Sequence, residues 1–195
     1  MSAIWVIDDF IDLNYQEQIK NILMGDEEFN DESSFPWYYI GDVTEGYEEG
    51  NQGRPGLSHV YVNYNDDGSS EIISDHHDLF IPLLENACNV LNIPKAKILQ
   101  GRSFLQFPLN LKSKEDDTPH IDIKERVDFV VVLYYVCDAD GDTIIYNERK
   151  ESKHYTVQQR VTPKQGRVVL FDGGLYHTAQ QCTNKIRCIV NYNLL

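Results

Sequence analysis

Basic residues are scarce in this 195-residue chain: 17 lysines and arginines stand against 31 aspartates and glutamates, a net charge of -14. A surface of that sign repels nucleic-acid phosphates and anionic lipid, which disfavours a nucleic-acid substrate and a membrane-surface role. Cysteine is scarce too. Cys88, Cys137, Cys182 and Cys188 form no C-x-x-C pair, and their spacing suits neither a zinc site nor a small disulfide scaffold. Free thiols in a reducing cytoplasm are expected, a cross-strand contact between Cys182 and Cys188 being the one conceivable pairing. Long apolar runs are missing: the longest, 129–137, has the length of a strand and is too short to span a bilayer. Residues 1–9 carry an Ile-Trp-Val-Ile cluster with no basic residue before it, which is not the pattern of a secretory signal. Repeats, low-complexity tracts and long linkers are also lacking. These absences leave a cytoplasmic protein of one domain, 1–195, with 42% hydrophobic residues for its core.

What is present reads as two helices followed by many short strands. Asn14 can cap a helix over 15–24, because Tyr15, Ile19, Ile22 and Leu23 share one face and Gly25 suits the position past its end. A second helix is expected near 79–91, with Phe80, Leu83, Leu84, Ala87 and Leu91 buried and Pro82 in its first turn or at a kink. Ile4 to Ile7, 35–40 and 58–64 read as strands, the last ending in the turn Asn65-Asp66-Asp67-Gly68. Further strands are expected over 97–107, 119–122, 128–136, 143–147, 154–161, 167–171, 176–181 and 186–194. Short strands with regularly spaced turns point to a mostly β protein. The expected fold is a double-stranded β-helix, or jelly roll, with its core over about 97–195 and two helices from the amino-terminal half on one outer face.

Within that framework His120-Ile121-Asp122, His177 and Arg187 form the chemical constellation. On a strand, residues i and i+2 share a face, so His120 and Asp122 can reach one metal. With His177 they make two histidines and a carboxylate, the set that occupies one face of an octahedral iron(II) in non-haem oxygenases and leaves other positions open. Arg187 can hold the far carboxylate of a dicarboxylate cosubstrate in a bidentate grip. If 182–185 makes a hairpin, Arg187 lies on the strand paired with that of His177, about 10 Å away at about 3.3 Å per residue. Two decoys compete. His76-His77-Asp78 repeats the H-x-D pattern, but before a helix, where Asp78 serves as a cap. His154 precedes Lys164 by ten residues, but Lys164 sits in a solvent-facing turn.

At these residues the chain resembles the iron(II)- and 2-oxoglutarate-dependent oxygenases, especially their prolyl-4-hydroxylase-like branch. The resemblance covers roughly 97–195. Leu133-Tyr134-Tyr135-Val136 followed by Asp140-Gly141-Asp142-Thr143 is similar to that branch's strand tyrosine and Gly-Gly-Glu-Thr stretch, and Arg102 and Gln106 to an arginine and a polar residue on an upstream strand. The resemblance implies iron(II) on His120, Asp122 and His177, and 2-oxoglutarate held by Arg187 with Tyr135 and Gln106. It also implies hydroxylation of a small-molecule or peptide substrate, such as a peptidyl or free amino acid. Lys185 stands where the branch often has glycine, and Ile189 where it often has a small hydroxyl residue. Phe35-Pro36-Trp37-Tyr38 is similar to small phage oxygenases.

Two other classes remain open: a cupin-like metal protein without oxoglutarate chemistry, and a non-catalytic jelly-roll binding module. Residues 43–57, rich in glycine and glutamate, and 112–118, just before His120, are the expected lids over the substrate.

Overall fold

Val130–Tyr135 and Arg187–Leu194 lie side by side near the middle of the larger of two antiparallel sheets in a computed structural model of the chain, which describes residues 3–25, 34–43, 53–110 and 117–195. In chain order the described elements are β1 (Trp5–Ile7), α1 (Leu13–Met24), β2 (Tyr38–Ile40), β3 (Gly56–Tyr64), β4 (Ser70–Ile72), a 3-10 helix (Asp75–Phe80) and α2 (Ile81–Leu91). There follow β5 (Ile98–Gln106), β6 (Val130–Tyr135), β7 (Thr143–Tyr146), β8 (Val157–Val161), β9 (Val168–Asp172), β10 (His177–Ala179) and β11 (Arg187–Leu194). The larger sheet runs β1-β9-β6-β11-β5-β3-β2, with β4 also paired to β3, and the smaller runs β10-β7-β8. Together they form the expected mostly β jelly roll, open rather than closed into a barrel.

Alternation along the central strands builds two separate cores. Val132, Tyr134, Val190, Tyr192 and Leu194 face the helices, where they pack with Ile19 and Leu23 of α1 and Leu83, Leu84 and Ala87 of α2. Val131, Leu133, Tyr135 and Ile189 face the other way, into the space between the sheets, and meet Ile121, Ile145, Phe171 and Leu175. Each fully buried aliphatic side chain contributes about 1.5–3 kcal/mol. Both helices therefore sit on one outer face, as expected. Gly101 allows Tyr192 to lie flat across β5, since any side chain there would overlap the tyrosine ring.

The elements differ from expectation in several places. The cap of α1 is Asp12, whose carboxylate accepts from the Asn14 N–H at 2.9 Å, so the helix begins two residues earlier; Gly25 closes it at φ 83°. Asp78 does not cap α2. It lies inside the 3-10 helix, which Ser74 caps, and α2 starts only at Ile81, with Pro82 in the first turn, where its missing N–H costs nothing. The decoy histidine His77 is buried, its Nδ1 2.9 Å from the Tyr192 hydroxyl. Residues 119–122 form no strand: His120 makes a single bridge, and the chain then bends away. Of the expected lids, Gly56 and Leu57 belong to β3, while 44–52 and 111–116 lie outside the described residues. All four cysteines are free. No helix among the described residues is long and apolar enough to cross a membrane.

Candidate metal centre

The His120 bridge positions the two histidines. His120 N donates to the His177 carbonyl at 2.9 Å and His177 N to the His120 carbonyl at 3.0 Å, a closely bonded antiparallel pair. Residues opposite one another in such a pair send their side chains to the same face. Two imidazoles separated by 57 residues of sequence thus stand with ring centres 4.7 Å apart. The bend after His120 then turns Asp122 towards them. One carboxylate oxygen, Oδ1, lies 3.9 Å from His120 Nε2 and 3.8 Å from His177 Nε2, and the three ligand atoms fall within 4.8 Å of one another.

Both rings are oriented for coordination. The Nδ1 of His120 lies 3.3 Å from the Thr118 carbonyl, and that of His177 lies 3.2 Å from the Leu175 carbonyl. A carbonyl only accepts, so Nδ1 carries the hydrogen in each ring and Nε2 presents its lone pair to the shared point. Burial and the neighbouring His177 lower the His120 pKa to about 4, so that ring is neutral near pH 7. Burial alone would raise the Asp122 carboxyl. The adjoining His177 imidazole, with Arg102 and His120, instead holds it far below the usual carboxylate range. Two imidazole nitrogens and one carboxylate oxygen converging on one point fit a divalent cation.

The other oxygen of Asp122 is held from the larger sheet. Asn191 Nδ2 donates to Oδ2 at 3.0 Å, and the Asn193 amide, oriented with its nitrogen inward, donates to the same oxygen at 3.0 Å. Neither asparagine stands out in the sequence. The signal was their place at period two from Arg187, on a strand otherwise apolar on its other face.

Arg187 and Gln106 face this centre from the opposite sheet. That placement corrects the expected hairpin, in which the strands of His177 and Arg187 are neighbours: β10 pairs with β7, whereas β11 pairs with β5 and β6. The turn after β10 carries the chain from one sheet to the other. Asp140 secures the crossing, its carboxylate accepting from the backbone N–H groups of Thr183, Asn184 and Lys185 at 3.0–3.1 Å. Arg187 is buried; its Nε donates to the Gly141 carbonyl at 3.2 Å, Nη1 to Gln106 Oε1 at 2.7 Å and Nη2 to Thr143 Oγ1 at 2.9 Å. One hydrogen on each terminal nitrogen remains for a carboxylate. Gly141 can approach so closely because it has no side chain, which would strike the Gln180 carbonyl.

Tyr135 lies one layer behind. Its hydroxyl donates to Thr143 Oγ1 at 2.7 Å, burial keeps it protonated by raising its pKa, and it is not among the residues lining the cavity. Thr143 accepts from Tyr135 and Arg187 together, which leaves the threonine's own hydrogen to donate. In the sequence Thr143 appears only as the end of the Asp140-Gly141-Asp142-Thr143 stretch, with no role of its own. The cavity itself, about 90 Å³, is lined by the three candidate ligands, Arg187, Gln106 and Thr143, and by Arg102, Phe104, Leu133, Ile189 and Asn191. A part-buried ion pair of 2.7 Å joins Arg54 to Asp117, one in each of the two segments expected to be lids.

No family model and no curated protein sequence matches the chain. Solved structures do match in fold. An oxidoreductase of the 2OG-Fe(II) oxygenase family from Burkholderia pseudomallei superposes with a TM-score of 0.70 at 10% identity, over 99% of this chain and 84% of that one. A prolyl-4-hydroxylase from Pseudomonas putida gives 0.59 at 12% identity, over 99% and 92%. HygX from Streptomyces hygroscopicus, solved with nickel, 2-oxoglutarate and hygromycin B, gives 0.55 at 14% identity, over 99% and 82%. The jelly roll of this chain is therefore the fold found in 2-oxoglutarate- and iron(II)-dependent oxygenases.

Proposed function

We propose that the chain, as a single domain over 1–195, is an iron(II)- and 2-oxoglutarate-dependent oxygenase that hydroxylates a small-molecule or peptide substrate. The observation that carries this reading is the convergence of His120, Asp122 and His177 within 4.8 Å, faced across the cavity by a buried arginine with two free N–H groups. Iron(II) bound there supplies the oxygen activation and oxidative decarboxylation of oxoglutarate that this class of reaction requires. The protein's share is binding and orientation. Asn191 and Asn193 hold Asp122 so that Oδ1 faces the imidazoles, and the carbonyls of Thr118 and Leu175 set the ring tautomers. Arg187, already oriented by Gln106, Thr143 and Gly141, offers a preorganised fork to the distal carboxylate of oxoglutarate, with the Thr143 hydroxyl beside it. Gln106 and Tyr135 act by orienting these donors, and Tyr135 reaches the cosubstrate only through Thr143. Leu133, Ile189 and Phe104 exclude water from the reacting face. The free cysteines fit the reducing cytoplasm in which we place the protein.

The test is an anaerobic titration of oxoglutarate into the iron(II)-loaded protein, read by visible charge-transfer absorption, followed by succinate formation on admitting air. Arg187→Gln should weaken the titration and His177→Ala should abolish the signal. Iron binding without any oxoglutarate response favours a cupin-like metal protein. No metal binding at all favours a non-catalytic module.

A further inference from the structure

Arg102 is the charged side chain of the cavity with the fewest partners. It stands on β5 opposite Asn191 of β11 and lines the same cavity as the candidate ligands and Arg187. Its Nη2 reaches Asp122 Oδ1 over a long 3.3 Å, its guanidinium lies 5.3 Å from the centre of the Phe104 ring, and its Nε is buried without a hydrogen-bond partner. Arg187, only a few residues along the paired strand, has all three of its nitrogens bonded within the protein. Asn191 shows the complementary deficit. Its Nδ2 is committed to Asp122, and its Oδ1 is buried without a donor. A buried polar group left unpaired costs about 1–3 kcal/mol, and more when charged. Here one donor and one acceptor, on paired positions of adjacent strands, are both unmatched beside the same cavity.

Charge points the same way, on the reading proposed above. The two positive charges of iron(II) exceed Asp122 by one, and the two negative charges of oxoglutarate exceed Arg187 by one. These balances cancel and would leave Arg102, whose side chain is 21% exposed, as the uncompensated cation of the cavity. Its one hydrogen bond is also long, and it goes to Asp122 Oδ1, the oxygen facing both imidazoles. A cation there draws electron density from that oxygen and weakens its bond to Arg102.

We infer that Arg102 and Asn191 form the subsite for the primary substrate, and that this substrate is a small carboxylic acid. Its carboxylate pairs with the Arg102 guanidinium, while an N–H or O–H of the same molecule donates to Asn191 Oδ1. Phe104 beneath the guanidinium keeps the fork from swinging away. This subsite is separate from the Arg187 fork and faces the metal from a different position on the sheet. It makes the enzyme selective for free acids over their neutral derivatives.

The experiment uses matched pairs: propionate and propionamide, N-acetylglycine and N-acetylglycinamide, L-proline and L-prolinamide. Binding to the protein loaded with manganese(II) and oxoglutarate is followed by saturation-transfer NMR, and oxoglutarate affinity is titrated in parallel. Acids should bind at least about tenfold more tightly than their amides, and Arg102→Gln should erase that preference. Arg102→Lys, which keeps the charge without the fork, should restore part of it and shows that the site still folds. Oxoglutarate affinity should fall far more in Arg187→Gln than in Arg102→Gln. The inference is overturned if no acid binds, if acid and amide bind alike, if Arg102→Gln keeps the preference, or if Arg102 proves to be the oxoglutarate arginine. Failure of the wild-type protein to bind oxoglutarate overturns the oxygenase reading instead, and the acid-amide comparison then still reads the subsite in the absence of metal.

Discussion

One strand presents two different proteins on its two faces. On β11, Cys188, Val190, Tyr192 and Leu194 point to the helices and join an apolar core, whereas Arg187, Asn191 and Asn193 point between the sheets and, with Ile189, surround the candidate metal centre. The helix face is closed mainly by volume: Tyr192 stacks on Tyr61 and meets the tilted ring of Phe80, with aliphatic packing from α1 and α2. The cavity face is closed largely by hydrogen bonds, with Arg102 Nε and Asn191 Oδ1 left unpaired. Stability and chemistry are thus separated by a single residue step, and substitutions on the two faces should have different signatures.

The largest separation is expected from His177→Ala, which should lower iron(II) or cobalt(II) affinity by at least about a hundredfold in a competitive chelator titration. Affinity within a few-fold of wild type would break the comparison. Leu83→Ala, on the helix face, should do the converse: about 2–5 kcal/mol lost in chemical denaturation, with metal affinity unchanged. Asn191→Leu removes one of the two amides that hold Asp122 Oδ2, and should weaken metal binding about 10- to 100-fold while the fold persists. Equal metal affinity in that variant would show that Asn193 alone suffices. Acid should act on both faces. Burial lowers the pKa of His59 and His77 on the helix side and of His120 in the cavity, each from 6.5. The unfolded chain then binds protons that the folded chain refuses, so stability is full above about pH 6.5 and falls below it. A loss of about 1–3 kcal/mol between pH 7 and 5 in metal-free protein is expected, and His77→Gln should reduce it. The smallest effect belongs to Tyr134→Phe. The Tyr134 hydroxyl is buried on the helix side without a partner, so its removal should change stability by less than about 1 kcal/mol, towards stabilisation. A large loss would mean that the helix face also depends on hydrogen bonds.

Much of this was legible in the chain. The continuous apolar run over 129–137 marked one central strand, alternation over 58–64 marked another strand, and two amphipathic segments marked the helices, because burial imposes a local pattern on the residues. The ends were less legible: Asp12 rather than Asn14 caps α1, and a 3-10 turn separates the decoy His76-His77-Asp78 from α2. His120 and Asp122 were visible as a motif, yet for a reason that differs from the structure. They share a point through a bend after one bridge, not through the alternation of a strand. Arg187 was visible by its spacing from His177, but the hairpin imagined between them is a crossing between sheets. Such pairings depend on contacts among distant segments and leave no local trace. Thr143, Asn191 and Asn193 carry common residue types at unremarkable positions, and only register reveals what they touch.

The sequence by itself determined the layered β architecture, the two helices and the set of side chains able to hold a divalent cation and a carboxylate, because hydrophobic period and ligand chemistry are properties of residues. Tertiary structure alone decided that β10 and β11 belong to opposite sheets, that Tyr135 stands behind Thr143, and that Arg102 and Asn191 carry unpaired polar atoms beside the cavity. The physical reason is that hydrogen-bond satisfaction is a sum over neighbours, and neighbours exist only once the chain has folded.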